Sequence, residues 1–178
     1  MKIHIGKSKL HGKGIFAIRD IKKGETVFVV KGNKIKFLIN NKKQAQIAGL
    51  NWVGTGKNEW IDPVDYCVFF NHSCNPNSFL KGKVLVKAIR DIKKGEEVVF
   101  DYSLNEADIY WQIKCNCKSK NCRKVIKSIQ FLPSTIFKKH KYHISKYYQK
   151  VHEKFKISKF ESLKELERVW IHFIEKDF

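Results

Sequence analysis

The chain has 178 residues, and 43% of them are hydrophobic, which is enough apolar material to bury a core and excludes a disordered chain. The net charge is +19, but only Arg19, Arg90, Arg123 and Arg168 are arginine, the residue that binds phosphate in a bidentate manner, so charge alone is weak support for a nucleic-acid partner. No apolar run approaches the ~18 residues that span a bilayer, and residues 1–6 lack the apolar segment of a secretory signal. We therefore expect an intracellular protein with no membrane contact.

Short strands are predicted for the first 103 residues, because β-branched and aromatic runs alternate there with Gly, Asn, Pro and Asp. Residues 41–48 are the helix predicted within this region. Residues 17–27 and 88–98 form an internal repeat, AIRDIKKGETV and AIRDIKKGEEV, with ten of eleven positions identical. We interpret the repeat as two strand–turn–strand units, with Gly24 and Gly95 supplying the turn conformation, and not as a site.

Helices are predicted at the C-terminal end, where residues 134–178 contain neither Gly nor Pro. Ser158 and Glu161 are interpreted as a capping box for the last helix. Residues 134–160 carry a local charge of +7, which we interpret as a solvated helix face in preference to a binding surface. The apolar residues at helical spacing favour packing, with a homodimer contact as an alternative; they are Phe137, Ile144, Tyr148, Val151 and Phe155, then Phe160, Leu163, Leu166, Trp170, Phe173 and Ile174.

Three polar segments carry residues suited to chemistry. Two glycines in residues 12–14 let the backbone approach a ligand, although a plain turn has the same pattern. Residues 71–77 (NHSCNPN) follow two phenylalanines, which indicates a buried strand that delivers polar groups inward; the alternative is a polar turn that caps its own backbone. Tyr102 follows Asp101 at the predicted end of a strand, where its hydroxyl can enter a cleft.

The five cysteines favour a metal site over disulfides, because three of them cluster in a chain without an export signal. Cys115, Cys117 and Cys122 offer three thiolates, one fewer than a closed tetrahedral zinc site requires.

Together these segments resemble the SET-domain protein lysine methyltransferases, which use S-adenosylmethionine. The resemblance covers residues 1–124 and is carried by residues 12–17, 70–77 and 97–102 and by the cysteine cluster, which resembles the family's post-SET segment. It implies a β-rich α+β fold: a SET-domain β-clip with a pseudoknot, a post-SET zinc loop and C-terminal helices. The implied parts are a SET domain at 1–103, a post-SET zinc-binding segment at 104–124 and a helical C-terminal extension at 125–178.

The resemblance also implies roles for individual residues. Tyr102 would be catalytic, where the methyl group passes from the sulfonium to the lysine amine. Tyr110 would lie in the substrate channel and influence the number of methyl groups that it admits. Asn71 would lie in the pseudoknot crossing. The residues expected to bind the cofactor are Gly12, Lys13, Gly14, Asn71, His72 and Trp111.

For the metal, the resemblance implies one structural zinc ion with Cys74 as the fourth ligand beside Cys115, Cys117 and Cys122. Cys67 is then a buried small residue; the alternative is that Cys67 binds the metal and Cys74 does not. The family pattern has glycine at two positions of this loop that are Lys118 and Lys124 here.

The function that the resemblance implies is methyl transfer from S-adenosylmethionine to the side-chain amine of a lysine in a histone or another protein. The alternative is a catalytically inactive SET-like module that binds chromatin or another polyanion, including nucleic acid, through its lysine-rich surface.

Overall fold

The computed structural model describes residues 2–49 and 51–176, which form eleven β-strands, four α-helices and several short 3₁₀ helices. No helix in these residues is both long and apolar enough to cross a membrane. The strands are β1 (Ile3–Lys7), β2 (Lys13–Ala17), β3 (Thr26–Val29), β4 (Gly32–Lys36), β5 (Val53–Gly56), β6 (Glu59–Pro63), β7 (Ser78–Lys81), β8 (Leu85–Ala88), β9 (Glu97–Val98), β10 (Gln112–Lys114) and β11 (Val125–Lys127). The helices are α1 (Lys42–Ile47), α2 (Ser134–His140), α3 (Lys146–Phe155) and α4 (Leu163–Glu175).

The strands form four small sheets in which all strand pairs are antiparallel. The strand orders are β1-β2-β9, β3-β8-β7, β4-β6-β5 and β10-β11. A first core lies between the sheets and draws its residues from positions 3 to 100. Its most deeply buried members are β-branched residues, which pack well on a pleated surface: Ile15, Ile21, Val86, Ile92 and Val98.

The internal repeat pairs with itself. Ile21 and Ile92 exchange two backbone hydrogen bonds of 2.9 Å each. Asp91 accepts the backbone N–H of residue 23 at 2.8 Å, and Asp20 accepts that of residue 94 at 2.9 Å, so each copy holds the turn of the other. Gly24 and Gly95 have φ angles of 80° and 81°, as predicted for the two turns. The repeat thus has a structural role: hydrogen bonds between its two copies join the N-terminal and C-terminal parts of the β-region.

The predicted helix at residues 41–48 is present as α1. Asn41 caps its N-terminus by accepting the N–H of Gln44 at 3.0 Å. The last helix is also present, but its predicted cap is wrong. Ile157–Lys159 is a 3₁₀ helix, and α4 is capped instead by Ser162, which accepts the N–H of Glu165 at 3.1 Å. The cap lies at Ser162 because this serine directly precedes the segment whose residues Leu166, Trp170 and Ile174 are buried along one face of α4.

The stretch predicted as the first C-terminal helix is divided into α2 and α3. The amide of Gln149 donates to the carbonyls of Lys141 and Ile144 at 3.0 and 2.7 Å, which satisfies backbone groups freed by the break. The five apolar residues predicted to face a core are all buried. They form a second core with Leu104, Ala107 and Ile109, so the helices pack directly on the segment that follows Tyr102. A homodimer contact through these helices stays a prediction.

Candidate active site and cysteine cluster

A parallel pairing brings the two most informative motifs together. Ser73 donates its N–H to the carbonyl of Phe100 at 3.0 Å, and Phe100 donates to the carbonyl of Asn71 at 3.2 Å. His72 and Tyr102, thirty positions apart, therefore lie side by side, with ring centroids 5.2 Å apart. The two segments that the pseudoknot was predicted to join are adjacent here.

Asn71 is anchored by its side chain. Its amide donates to Glu97 Oε1 and to the carbonyl of Lys13, both at 2.8 Å. A Cβ added at Gly14 would lie 2.2 Å from the same Glu97 oxygen and 3.1 Å from the Asn71 amide. The second glycine of the Gly-x-Gly pattern therefore makes room for this contact, whereas Gly12, with φ of 48°, has no neighbour within 4 Å of a built Cβ.

Tyr102 is held at both ends. Its hydroxyl donates to the carbonyl of Phe70 at 2.7 Å, and its backbone N–H donates to Nδ1 of His72 at 3.2 Å. Burial, reinforced by the nearby Glu97 carboxylate, raises the pKa of Tyr102 above its usual range. The phenol therefore stays protonated at neutral pH, and the lone pairs of its oxygen are available as acceptors.

Burial, assisted by the positive charge of Arg123, lowers the pKa of His72 to about 3. The imidazole is therefore neutral at physiological pH. Since Nδ1 accepts a hydrogen bond from Tyr102, Nε2 carries the proton, and this nitrogen lies 3.3 Å from Sγ of Cys74. His72 thus connects the tyrosine to the cysteine cluster.

Two cavities meet at Tyr102. The larger is a cleft of about 670 Å³, whose lining residues include Gly12, Lys13, Asn71, His72 and Tyr102. The smaller has a volume of about 50 Å³, and its lining combines polar residues, among them Glu106, with five aromatic ones: Trp52, Phe70, Phe100, Tyr102 and Trp111. Tyr102 belongs to both linings, so its side chain lies where the two cavities adjoin.

The roles predicted for three further site residues stay predictions, and the structure places these residues as follows. Gly14 does not line the larger cleft and acts through the packing of Glu97. Trp111 lines the smaller cavity, with its ring centroid 6.4 Å from that of Tyr102, and not the cleft expected for the cofactor. Tyr110 lines neither cavity: its hydroxyl donates to Glu167 of α4 at 2.5 Å, because the following helices turn it into the second core.

Four cysteines form one group. The sulfur atoms of Cys74, Cys115, Cys117 and Cys122 all lie within 4.8 Å of one another, and the first three residues are buried. Cys67 stays outside this group; its sulfur accepts the N–H of Lys31 at 3.4 Å. The alternative in which Cys67 replaces Cys74 is therefore wrong, and a group that could hold a metal is present where the sequence indicated it.

The cysteines differ in their electrostatic surroundings. Burial raises the pKa of Cys74 and that of Cys115. Burial acts in the same direction on Cys117, but hydrogen bonds from Ser119 and from the backbone N–H of Cys74 outweigh it and lower the pKa of Cys117 to about 6. The lowered pKa favours the thiolate form of Cys117, which is the form that binds a metal.

A buried ion pair that the sequence motifs did not predict lies beside Tyr102. Asp101 is fully buried, and its Oδ1 lies 2.5 Å from Nη2 of Arg123, whose side chain is 13% exposed. The signal was visible in the sequence: the aspartate directly precedes Tyr102, and the arginine, one of four in the chain, directly follows Cys122.

Comparisons with known proteins agree with this fold. The SET domain family model matches residues 12–103. Histone-lysine N-methyltransferase 2B from Homo sapiens is 30% identical over 141 residues, covering 70% of this chain and 5% of the relative. The variant-silencing SET domain-containing protein from Plasmodium falciparum (isolate 3D7) is 29% identical over 168 residues, covering 76% of this chain and 6% of the relative. The chain thus spans a small part of the length of these proteins.

A solved structure shares the same fold. The crystal structure of KRYPTONITE in complex with mCHG DNA and SAH superposes with a TM-score of 0.54 at 22% identity, covering 69% of this chain and 28% of that chain. Fold and site define a domain of small antiparallel sheets in which a large cleft and a smaller pocket with aromatic lining meet at the half-buried Tyr102, beside a four-cysteine group. The chain belongs to the SET-domain family, and the predicted resemblance and fold class are confirmed.

Proposed function

We propose that this chain is a protein-lysine N-methyltransferase that uses S-adenosylmethionine as methyl donor. The observation that carries the proposal is the place of Tyr102, which lines both the larger cleft and the smaller aromatic pocket. A cofactor in the first cavity and a lysine side chain in the second would meet at its hydroxyl. Membership of the SET-domain family supports the same reaction.

The larger cleft suits the cofactor in size and in chemistry. Its volume of about 670 Å³ falls in the range typical of small-molecule sites. Gly12, Lys13, Asn71 and His72 all line the cleft, and the Asn71 amide holds the backbone of Lys13 in place. S-adenosylmethionine supplies an activated methyl group on a sulfonium when bound, and these residues would hold and orient it.

The smaller pocket suits a lysine side chain. A lysine amine has a pKa near ~10.4, so only about one in a thousand is neutral near pH 7.4. The rings of Trp52, Phe70, Phe100 and Trp111 would exclude water from the amine, which lowers its pKa and favours the neutral nucleophile. The pocket therefore promotes the deprotonation that attack on the methyl group requires.

Tyr102 would position the reacting groups. Its hydroxyl proton is committed to the carbonyl of Phe70, so the phenolic oxygen would act as an acceptor toward a group in either cavity. Such an oxygen can accept weak C–H hydrogen bonds from a polarised methyl group and can orient the amine in line with it. Holding two reactants in line contributes several kcal/mol to lowering the barrier, an effect on the order of that measured for well-oriented intramolecular reactions.

The four-cysteine group suits one zinc ion. A tetrahedral zinc–thiolate site with bonds of about 2.3 Å places its sulfur atoms about 3.8 Å apart. The Cys74–Cys115 and Cys115–Cys122 sulfur distances are 3.8 and 3.7 Å. Zinc here would be structural, because four protein ligands leave no open position, and it would tie residues 115–122 to the motif that carries Asn71 and His72.

The three-part division at 1–103, 104–124 and 125–178 stays part of this proposal, with residues 104–109 sharing a core with the helices. Polyanion binding is the alternative function, and the exposed lysines of the helical region favour it. The lysine-rich surface comprises Lys138, Lys139, Lys141, Lys146, Lys150, Lys154 and Lys159. Contact of this surface with a nucleosome or another polyanion would also help a strongly cationic enzyme to approach a basic substrate, by neutralising repulsion.

Methyl transfer from labelled S-adenosylmethionine to purified histones and to a whole-cell extract tests the proposal. The native chain is compared with Tyr102→Phe and with Tyr142→Phe, a matched control at a tyrosine that is 95% exposed. We expect label on lysine with the native chain and the control, and loss of most turnover in Tyr102→Phe with cofactor binding retained. Absence of both cofactor binding and transfer, together with salt-sensitive polyanion binding, would favour the inactive binding module.

A further inference from the structure

A closed ring of contacts joins Tyr102 to the cysteine group. Tyr102 donates its backbone N–H to His72 Nδ1 at 3.2 Å, and His72 Nε2 lies 3.3 Å from Sγ of Cys74. Arg123 donates its backbone N–H to the same sulfur at 3.4 Å and its guanidinium to Asp101 at 2.5 Å. Asp101 directly precedes Tyr102, which closes the circuit. These five residues are called the coupling ring below.

Two donors converge on one sulfur in this ring. Because His72 Nδ1 is an acceptor, Nε2–H points to Cys74, and the Arg123 N–H reaches the same atom. Two N–H donors on one sulfur would stabilise that sulfur as a metal ligand, since hydrogen bonds to an ionised acceptor are the stronger ones. A metal bound by the four cysteines would keep Cys74 deprotonated and would hold the ring closed.

The ion pair within the ring is poorly explained by stability. Among the described residues, Asp101 Oδ2 and Arg123 Nε and Nη1 are buried and have no hydrogen-bond partner. A buried ion pair with unpaired atoms is often no more stabilising than apolar residues of the same size. The pair does, however, hold Arg123, which follows Cys122, in a defined position relative to Asp101, which precedes Tyr102. An apolar contact is not directional and would fix this position less tightly.

We infer that Asp101 and Arg123 are positioning residues that couple the metal-binding cysteine group to Tyr102. The inference rests on the proposed function: loading of the cysteine group fixes the Tyr102 hydroxyl between the two cavities, and the ion pair transmits this constraint. Asp101 lines neither of the two cavities that meet at Tyr102. Its Oδ1 lies 2.5 Å from Arg123 and 3.7 Å from Nδ1 of His72, so its effect on either end passes through these two residues and the backbone of Tyr102.

The test uses the full zinc-loaded chain and three variants: Asp101→Asn, Arg123→Met and the double variant Asp101→Leu/Arg123→Met. Arg19→Met is the matched control, because Arg19 forms an ion pair with Glu25 at the same 2.5 Å but on the exposed surface. Three quantities are measured: the rate of zinc release to a chelator, kcat against KM for S-adenosylmethionine, and the unfolding midpoint. Arg123→Lys, which keeps the charge, serves as the conservative variant.

We expect Asp101→Asn to release zinc about tenfold faster than the native chain, as is typical when an outer contact of a metal site is lost. Its kcat should fall about tenfold or more, with a smaller change in KM, because a small displacement of a positioning group acts mainly on the reacting geometry. Arg123→Lys should retain more activity than Arg123→Met, and Arg19→Met should match the native chain in all three measurements.

The double variant separates positioning from stability. Removing both charges should restore the unfolding midpoint lost in Arg123→Met but leave kcat low and zinc release fast. Recovery of kcat together with the midpoint would overturn the inference, as would native zinc release in Asp101→Asn. Zinc release is read without any methyl transfer, so a native chain that transfers no methyl would count against the proposed function and leave this comparison decisive for the coupling.

Discussion

The backbones of Lys118 and Lys124 share one unusual conformation: both lie in the left-handed region, with φ angles of 57° and 63°. These are the two positions at which the family pattern has glycine. The loop around the cysteines therefore keeps the backbone path that glycine permits, although this chain places a side chain at each turn. The substitution changes the energy of the loop and not its course.

Replacing either lysine by glycine should therefore stabilise the chain. A non-glycine residue in the left-handed region costs about 1–2 kcal/mol, partly offset by the greater freedom of glycine in the unfolded chain. We expect Lys118→Gly and Lys124→Gly each to raise the free energy of unfolding by up to about 1 kcal/mol, measured by urea unfolding of the zinc-loaded protein. Lys120→Gly removes the same charge in the same loop at a residue without positive φ, and it should be neutral or destabilising. Equal stabilisation by all three would point to relief of charge repulsion.

The metal site predicts a difference between two cysteines. Cys122→Ser should abolish binding of one equivalent of zinc, because three thiolates do not close a tetrahedral site. Cys67→Ser should keep full zinc content, because its sulfur contacts the backbone of Lys31 and Val29 and not the group. Metal analysis of the purified proteins measures both. Folded, fully active Cys122→Ser without zinc would argue against a structural metal.

Tyr110 is expected to act on stability and not on the number of methyl groups transferred. Its hydroxyl donates to the carboxylate of Glu167 at 2.5 Å across the second core. Loss of a hydrogen bond to a charged group costs about 1.5–3 kcal/mol, reduced here because the site is half-buried. Tyr110→Phe should lower the free energy of unfolding, and Glu167→Gln, which keeps an acceptor, should lower it less. Mass spectrometry of the methylated product should show an unchanged ratio of mono-, di- and trimethyl-lysine. A shift in that ratio would support a role for Tyr110 in the substrate channel.

The parts of the site that short motifs specify were predictable from the sequence. Spacing alone indicated that Cys115, Cys117 and Cys122 cluster, and the resemblance supplied Cys74, which lies 41 positions away and which no local pattern could connect. The direction in which a side chain points after the end of a strand was harder to predict from the sequence. Tyr110 and Trp111 are neighbours in the sequence, yet Tyr110 packs against the second core and Trp111 lines the smaller cavity. The difference arises because the C-terminal helices cover Tyr110 and leave Trp111 at the cavity.

Helix boundaries depended on the same tertiary information. Just before the last helix, the sequence contains two serine–glutamate pairs at capping distance, one beginning at Ser158 and one at Ser162. Only the second directly precedes the stripe of Leu166, Trp170 and Ile174 that the second core buries. The break between α2 and α3 has no Gly or Pro to signal it, and it is stabilised by a side-chain amide from a later turn.

Buried histidines should make the helical region acid-sensitive. Burial lowers the pKa of His140 from 6.5 to about 4, assisted by the charges of Lys139 and His143. The unfolded chain therefore binds a proton at a higher pH than the folded chain does. This contribution to stability is fully present above the unfolded pKa and is lost as pH falls from about 6.5 toward the folded value near 4.

His140→Phe should remove that dependence. Between pH 7.5 and pH 5, the free energy of unfolding of the native chain should fall by about 2 kcal/mol more than that of the variant. The difference builds up over the roughly 1.5 pH units below the unfolded pKa of 6.5, at about 1.36 kcal/mol per unit. Glu106 and Asp108 act in the opposite direction, because burial raises their pKa to about 8 and about 6, but both chains share them. The comparison is therefore the difference between the two chains in urea unfolding at each pH. Parallel pH curves would show that protonation of His140 does not oppose folding.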